Sequence, residues 1–226
     1  MINTRDSGQI MALEKENATR ASDRIAQELR KMIISLELQP GAKVSEADLV
    51  ERLNCGRTPL REALQRLAEE YLVVSIPHHG VSIAELGLTD YVQLIEAVSH
   101  IEAISTRLAS QRLGEEDIKK LRSIIEKAEE AHARDDILSI VEYDFNFHHT
   151  IALSTRNRYI IHMTDRLHRL TSRFIYLAWR NGGEIHPSIA EHKEILQALT
   201  ERDAARAEKL TFEHTQNAKE RIIQSL

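Results

Sequence analysis

The sequence predicts a mainly α chain in two parts: three short helices closed by a β-hairpin, then an all-α antiparallel helical bundle. Three observations carry this. The 226 residues include only 8 Gly and 4 Pro, and the common residues are good helix formers. From Ser22 onward, apolar side chains recur mostly at three- and four-residue intervals. One short stretch changes to a period of two. Leu72, Val74 and Ile76 alternate, as do Val81 and Ile83, around Pro77-His78-His79-Gly80.

Taken in order, residues 1–18 are polar and lack a sustained period, so a loose tail is expected. Ile25, Leu29, Met32 and Ile33 form the stripe of a first helix, which ends before the turn signature Leu38-Gln39-Pro40-Gly41. Ser45 suits the N-cap of a second helix through Leu53, with Leu49, Val50 and Leu53 facing inward. Asn54-Cys55-Gly56 makes a tight turn. A third helix then runs from about Thr58 to Glu70, with Pro59 in the first turn, where its missing N–H costs nothing. After the hairpin, helices are expected near 89–112, 115–134, 136–155, 158–180, 188–200 and 203–225. Breakers or caps such as Gly114, Gly182-Gly183 and Asp203 bound them. The expected organisation is a tail over 1–18, a first domain over 19–86 and a helical domain over 87–226.

Composition narrows the function. A hydrophobic content of 42% with 29% charged residues allows a real core. Cys55 is the only cysteine, which excludes an intramolecular disulfide and a cysteine-based zinc finger. No run of about 18 apolar residues spans a membrane, and the first residues do not form a signal peptide. A cytoplasmic protein without a membrane partner is therefore expected. Net charge is −5, and residues 1–86 carry 11 Lys and Arg against 13 Asp and Glu. Any nucleic-acid binding must come from a local cation cluster.

Three short helices and a hairpin are the order of a winged helix-turn-helix. On the third helix, Leu60, Ala63, Leu64 and Leu67 share one side, while Arg57, Arg61 and Gln65 recur every four residues beside Thr58. A helix that enters the major groove needs this division between a side held by its domain and a side reaching bases and phosphates. The segment LQPGAKVSEADLVERLNCGRTPLREALQRLAEEYLVVSIPHHGVSI resembles the DNA-binding domain of the GntR family of bacterial regulators. The resemblance rests on Pro40-Gly41, Ser45-Glu46, Arg57-Thr58-Pro59-Leu60-Arg61-Glu62-Ala63-Leu64 and Gly80. It implies that Arg57 and Arg61 contact bases or phosphates, that Thr58 contacts a phosphate, and that Gly80 brings the wing backbone near the minor groove. The DNA-facing set is Ser45, Arg57, Thr58, Arg61, Gln65, His79 and Gly80. Cys55-Gly56 replaces the usual Val-Ser, and Ala47 stands where some members carry Arg. Both departures bear on which operator is read rather than on DNA binding.

In the second part, polar residues interrupt apolar stripes. The inward stripes are Val141, Asp144, His148 and Ile151; then Ile189, His192, Leu196 and Leu199; and finally Leu210, His214 and Asn217. An Asp on such a stripe needs a partner, because an unpaired buried carboxylate is costly. Asp-x-x-x-His puts two ligands on one helix face, and facing helices can complete a metal site. YDFNFHHTIALSTRN, AEHKEILQAL and FEHTQNAKERI, with 22 positions from His192 to His214, resemble the FCD effector domain of the FadR-type branch. The six expected helices suit its VanR-like variant. That resemblance implies Asp144, His148, His192 and His214 as ligands. His149 points about 100° away on its helix and is left out.

Three His and one carboxylate suit a divalent transition metal, Zn first, with Ni, Fe and Mn as alternatives. The resemblance also implies a small carboxylate effector beside the metal. Val98 occupies the place of a family Arg before Glu102, so Arg173, with His100, is the expected effector contact. His78, His79, His132, His149, His162, His168 and His186 are read as surface, wing or pocket residues. The expected function is a ligand-responsive transcriptional regulator, a homodimer on a palindromic double-stranded operator, and not an enzyme. The residues by themselves leave open a helical domain that only dimerises, or a metalloenzyme. No general base or nucleophile constellation accompanies the proposed ligands.

Overall fold

The computed structural model describes residues 21–76, 80–183 and 186–225. The chain divides into two compact units, Met1–Glu85 and Leu86–Leu226. The expected tail over 1–18 lies outside the described residues.

In the first unit, α1 covers 21–34 and buries Ile25, Leu29, Met32 and Ile33, the stripe read from the sequence. Then follow β1 (Lys43–Val44), α2 (Glu46–Arg52), α3 (Arg57–Glu69), β2 (Val73–Ile76) and β3 (Gly80–Ile83). Ser45 caps α2, its hydroxyl accepting from the Asp48 N–H at 3.4 Å. The bidentate pair of Arg30 with Glu70, at 2.9 and 2.7 Å, ties α1 to the end of α3.

The β part is larger than the hairpin the sequence predicts. It is a three-stranded antiparallel sheet in the order β1-β3-β2, with Val44 opposite Val81 and Val73 opposite Ile83. The segment after Pro40 supplies the extra strand. Gly41 N–H donates to Ile83 O at 3.0 Å, and Ile83 N–H donates to Ala42 O at 2.9 Å. The free edge of β3 is thereby satisfied. The inward alternation also differs, since Val73 is buried and Val74 is 49% exposed. Leu72, buried as expected, precedes the strand, after Tyr71 at φ +58°, so the strand opens on Val73 rather than on Leu72.

The second unit is a bundle of α4 (Leu88–Ser110), α5 (Glu115–His132), α6 (Ile137–Ser154), α7 (Arg158–Arg180), α8 (His186–Thr200) and α9 (Ala204–Ser225). Asp136 caps α6 by accepting from Ser139 N–H at 3.1 Å, and Asn157 caps α7 by accepting from Tyr159 N–H at 3.0 Å. Asp203 accepts from Arg206 N–H at 3.0 Å at the start of α9. Contacts from Arg107 to Glu208, Thr106 to Thr211 and Ser99 to Gln216 run α4 antiparallel to α9. Leu121, Phe147, Ile151, Ile195 and Leu199 sit in the core of this unit. Gly183 closes the end of α7 because a Cβ there would lie 2.9 Å from Ala178 O. Among the described residues, no helix is long and apolar enough to cross a membrane.

Candidate functional site

α3 buries Leu60, Ala63, Leu64 and Leu67, and leaves Arg57, Thr58, Arg61 and Gln65 exposed on its other side. Its N-cap is Gly56, which has no side chain to cap the helix. Free N–H groups at a helix start favour an anion, so the Arg57 end of α3 suits a phosphate. Glu46 of α2 holds Arg61 at 2.9 Å, with the guanidinium side chain 67% exposed. An exposed pair of this kind is weak and yields to a stronger anion. Gly80 is exposed at φ +88°, a left-handed conformation that glycine adopts without strain. Ser45 spends its hydroxyl on the α2 cap. His79 lies outside the described residues.

In the bundle, Asp144, His148, His192 and His214 are buried together, each offering a ligand atom within 4.8 Å of the others. One turn of α6 separates Asp144 from His148, while α8 brings His192 and α9 brings His214. His148 Nε2 and His214 Nε2 each lie 3.2 Å from His192 Nε2, and Asp144 Oδ1 lies 3.7 Å from it. The far nitrogens of two rings meet carboxylates. His148 Nδ1 is 3.1 Å from Glu102 Oε2, and His214 Nδ1 is 2.7 Å from Glu191 Oε2. A carboxylate only accepts, so Nδ1 of His214 carries the hydrogen toward Glu191, and a neutral ring in that tautomer presents a bare Nε2 lone pair; Glu102 favours the same tautomer of His148. His192 Nε2 has at most one hydrogen to offer and can satisfy one of its two neighbours. Burial lowers the affinity of His148 and His192 for protons, which keeps these rings neutral. Such a donor set fits a cation. Metal–nitrogen bonds of about 2.0–2.1 Å would put neighbouring nitrogens roughly 3.0–3.4 Å apart, the range observed.

The comparisons with known proteins agree in kind. A model described as FCD domain matches residues 93–217, more than half of the chain. A second, described as Bacterial regulatory proteins, gntR family, matches residues 21–83. The chain belongs to the GntR family.

It is similar to the HTH-type transcriptional repressor GlaR of Escherichia coli (strain K12), with 28% identity covering 82% of this chain and 88% of that protein. It is also similar to the Nta operon transcriptional regulator of Aminobacter aminovorans, at 24% identity over 85% of this chain and 90% of that one. Among solved structures, E. coli McbR/YncC shares the fold with a TM-score of 0.81 at 21% identity, covering 90% of this chain and 97% of that one. This GntR-family chain is a transcriptional regulator and not an enzyme, and its first domain implies binding to double-stranded DNA.

Around the histidines of this regulator are residues that sequence reasoning passed over. Glu102 and His168 are both buried; they contact each other, and His168 stacks on His148 at 4.4 Å between ring centroids. Burial would push the Glu102 carboxyl up, but the His148 and His168 rings hold it well below the usual carboxylate range. For His168 burial works downward, and Glu102 raises it past its ordinary value. Glu191 also resists its own burial, because His214 and Arg221 bring it down to about 2. Two of these had a sequence signal. Glu102 continues the buried α4 stripe of Tyr91, Ile95 and Val98, and His168 shares a stripe with Thr164, Thr171 and Ile175. Glu191 sits beside His192 without such a pattern.

A cavity of about 40 Å³, room for a few waters, opens beside the cluster. Asp144, His148 and His214 reach it, and so do Tyr91, Trp179 and Arg221. The two expected effector contacts do not. His100 is exposed and packs on Phe212, because its direction on α4 differs from that of the inward stripe. Arg173 is buried, which lowers its pKa to about 10, but it is not in the cavity wall. The cation found there is Arg221, bonded to Glu191 at 2.9 and 2.8 Å and to Ser188 at 3.0 Å. His149, left out as a ligand, pairs instead with Asp165 and stacks on Phe145.

Proposed function

We propose that this regulator reads a palindromic operator as a homodimer and is controlled by a small carboxylate bound beside a metal in its helical domain. The metal is divalent, Zn in the first place, held by Asp144, His148, His192 and His214. The observation that carries this reading is the convergence of three imidazole Nε2 atoms whose partners across two of the rings are carboxylates. Bound there, the metal supplies a Lewis-acidic point for a carboxylate oxygen. Glu102 and Glu191 fix the tautomers and orientations of His148 and His214. At the other end of the chain, Arg57, Thr58, Arg61 and Gln65 face the operator from α3, and Gly80 lets the wing backbone approach it. Control is a population shift, in which the effector favours one arrangement of the two DNA-binding heads in the dimer.

Two measurements test it. Purified protein should carry about one divalent metal per chain, and His192→Ala combined with His214→Ala should lose it on elemental analysis. Metal retained at the wild-type level would reject the ligand set. In gel shift at fixed salt, Arg57→Ala and Arg61→Ala should each weaken operator binding, and unchanged affinity would reject the role of α3.

A further inference from the structure

Tyr91 sits in the first turn of α4, fully buried, its ring 4.7 Å from Phe174. Its hydroxyl finds no hydrogen-bond partner among the described residues. Ser105, Thr150 and Thr164 also have hydroxyl oxygens without a partner there, but of these residues Tyr91 alone belongs to the cavity wall. Burying an unpartnered hydroxyl destabilises a fold, and phenylalanine would fill the same space beside Phe174 without that cost. The hydroxyl is therefore better explained by something that enters the cavity than by packing.

The rest of the α4 stripe points the same way. Tyr91, Ile95, Val98 and Glu102 all line the cavity. Ile95 and Val98 have no polar group to offer, and Glu102, whose oxygens lie against His148 and His168, is a carboxylate that can only accept. Tyr91 is left as the α4 group able to donate to an oxygen of a ligand. Burial pushes its hydroxyl well up, so it stays protonated and acts as a donor. Across the same cavity, three donor contacts of Arg221 go to Glu191 and Ser188.

We propose that Tyr91 is a specificity-determining residue of this site, donating its hydroxyl hydrogen to an oxygen that the effector carries in addition to its metal-facing carboxylate. The ligand class is thus a short carboxylic acid bearing a second oxygen acceptor, whether hydroxyl, carbonyl or another carboxylate. The inference rests on the metal-and-effector reading above.

The test is calorimetric titration of the full-length, zinc-loaded protein with straight-chain acids of three to five carbons. Each acid is compared with its 2-hydroxy, 2-oxo and dicarboxylate counterparts. At least one oxygen-bearing acid should bind the wild type about tenfold more tightly than the plain acid of equal length, the scale of one hydrogen bond to a ligand. Tyr91→Phe should erase that preference, retain the weaker binding of the plain acid, keep full zinc content, and melt no lower than wild type in the absence of any acid. A preference that survives in Tyr91→Phe overturns the inference while leaving the metal-and-effector reading standing. A lower melting temperature of the acid-free variant also overturns it, by showing a structural role for the hydroxyl. If no acid binds the zinc-loaded wild type, both fall.

Discussion

Glu102 and Glu191 do for the histidine cluster what the proposed ligands cannot do for themselves. Glu191 accepts from Nδ1 of His214 and Glu102 lies 3.1 Å from Nδ1 of His148, so each carboxylate favours the tautomer that leaves the other nitrogen's lone pair for the shared centre. Glu102→Gln should leave the ligand atoms in place but weaken their orientation and basicity. A metal affinity lower by about 10- to 100-fold, read by competition with a chromogenic chelator, is expected. Affinity within twofold of wild type would make Glu102 a bystander. At the DNA end, Arg57 and Arg61 differ in their local ties. Arg61 is held by Glu46, whereas Arg57 stands at the exposed start of α3. If Arg57 neutralises a phosphate, Arg57→Ala should reduce the slope of log affinity against log salt by about one.

Among the elements, α3 carries two requirements on opposite sides. Leu67 is fully buried, as are Leu60 and Ala63, while Gln65 two positions earlier is exposed. Leu67→Ala should cost about 2–5 kcal/mol, read by urea unfolding of the first domain. Gln65→Ala should change stability by no more than about 0.5 kcal/mol, and any effect it has should appear in operator binding. A similar loss in both variants would mean that α3 is buried on all sides. The sequence described this helix well because an amphipathic period of 3.6 is a local property. It described the sheet less well. β1 has only two residues and exists because β3 offers it an edge, which no local pattern at Lys43-Val44 announces.

For the whole molecule, metal and folding should be linked. The four candidate ligands come from α6, α8 and α9, so a cation that binds all of them resists separation of those helices. Metal at a hundred times its Kd should stabilise the helical domain by about 2.7 kcal/mol. A chelator should correspondingly lower its melting temperature. Trp179, the single tryptophan, lines the cavity and gives a fluorescence signal for that domain alone. A melting curve of Trp179 indifferent to chelator and to added zinc would sever the link. The net charge of −5 sets no obstacle to DNA binding, because α3 presents its cations locally.

Much was legible in the residues alone: a mainly α chain, six helices after the hairpin placed within about two residues of their observed ends, and an Asp and three His on inward stripes. Periodicity, caps and breakers act over one or two turns, so a linear reading recovers them. Tertiary structure decided which groups meet. His168 and Glu102 join His148 from α7 and α4, and Arg221 rather than Arg173 or His100 reaches the cavity. Helix periodicity says that a side chain faces inward, but the rotation and offset of neighbouring helices determine what it faces there.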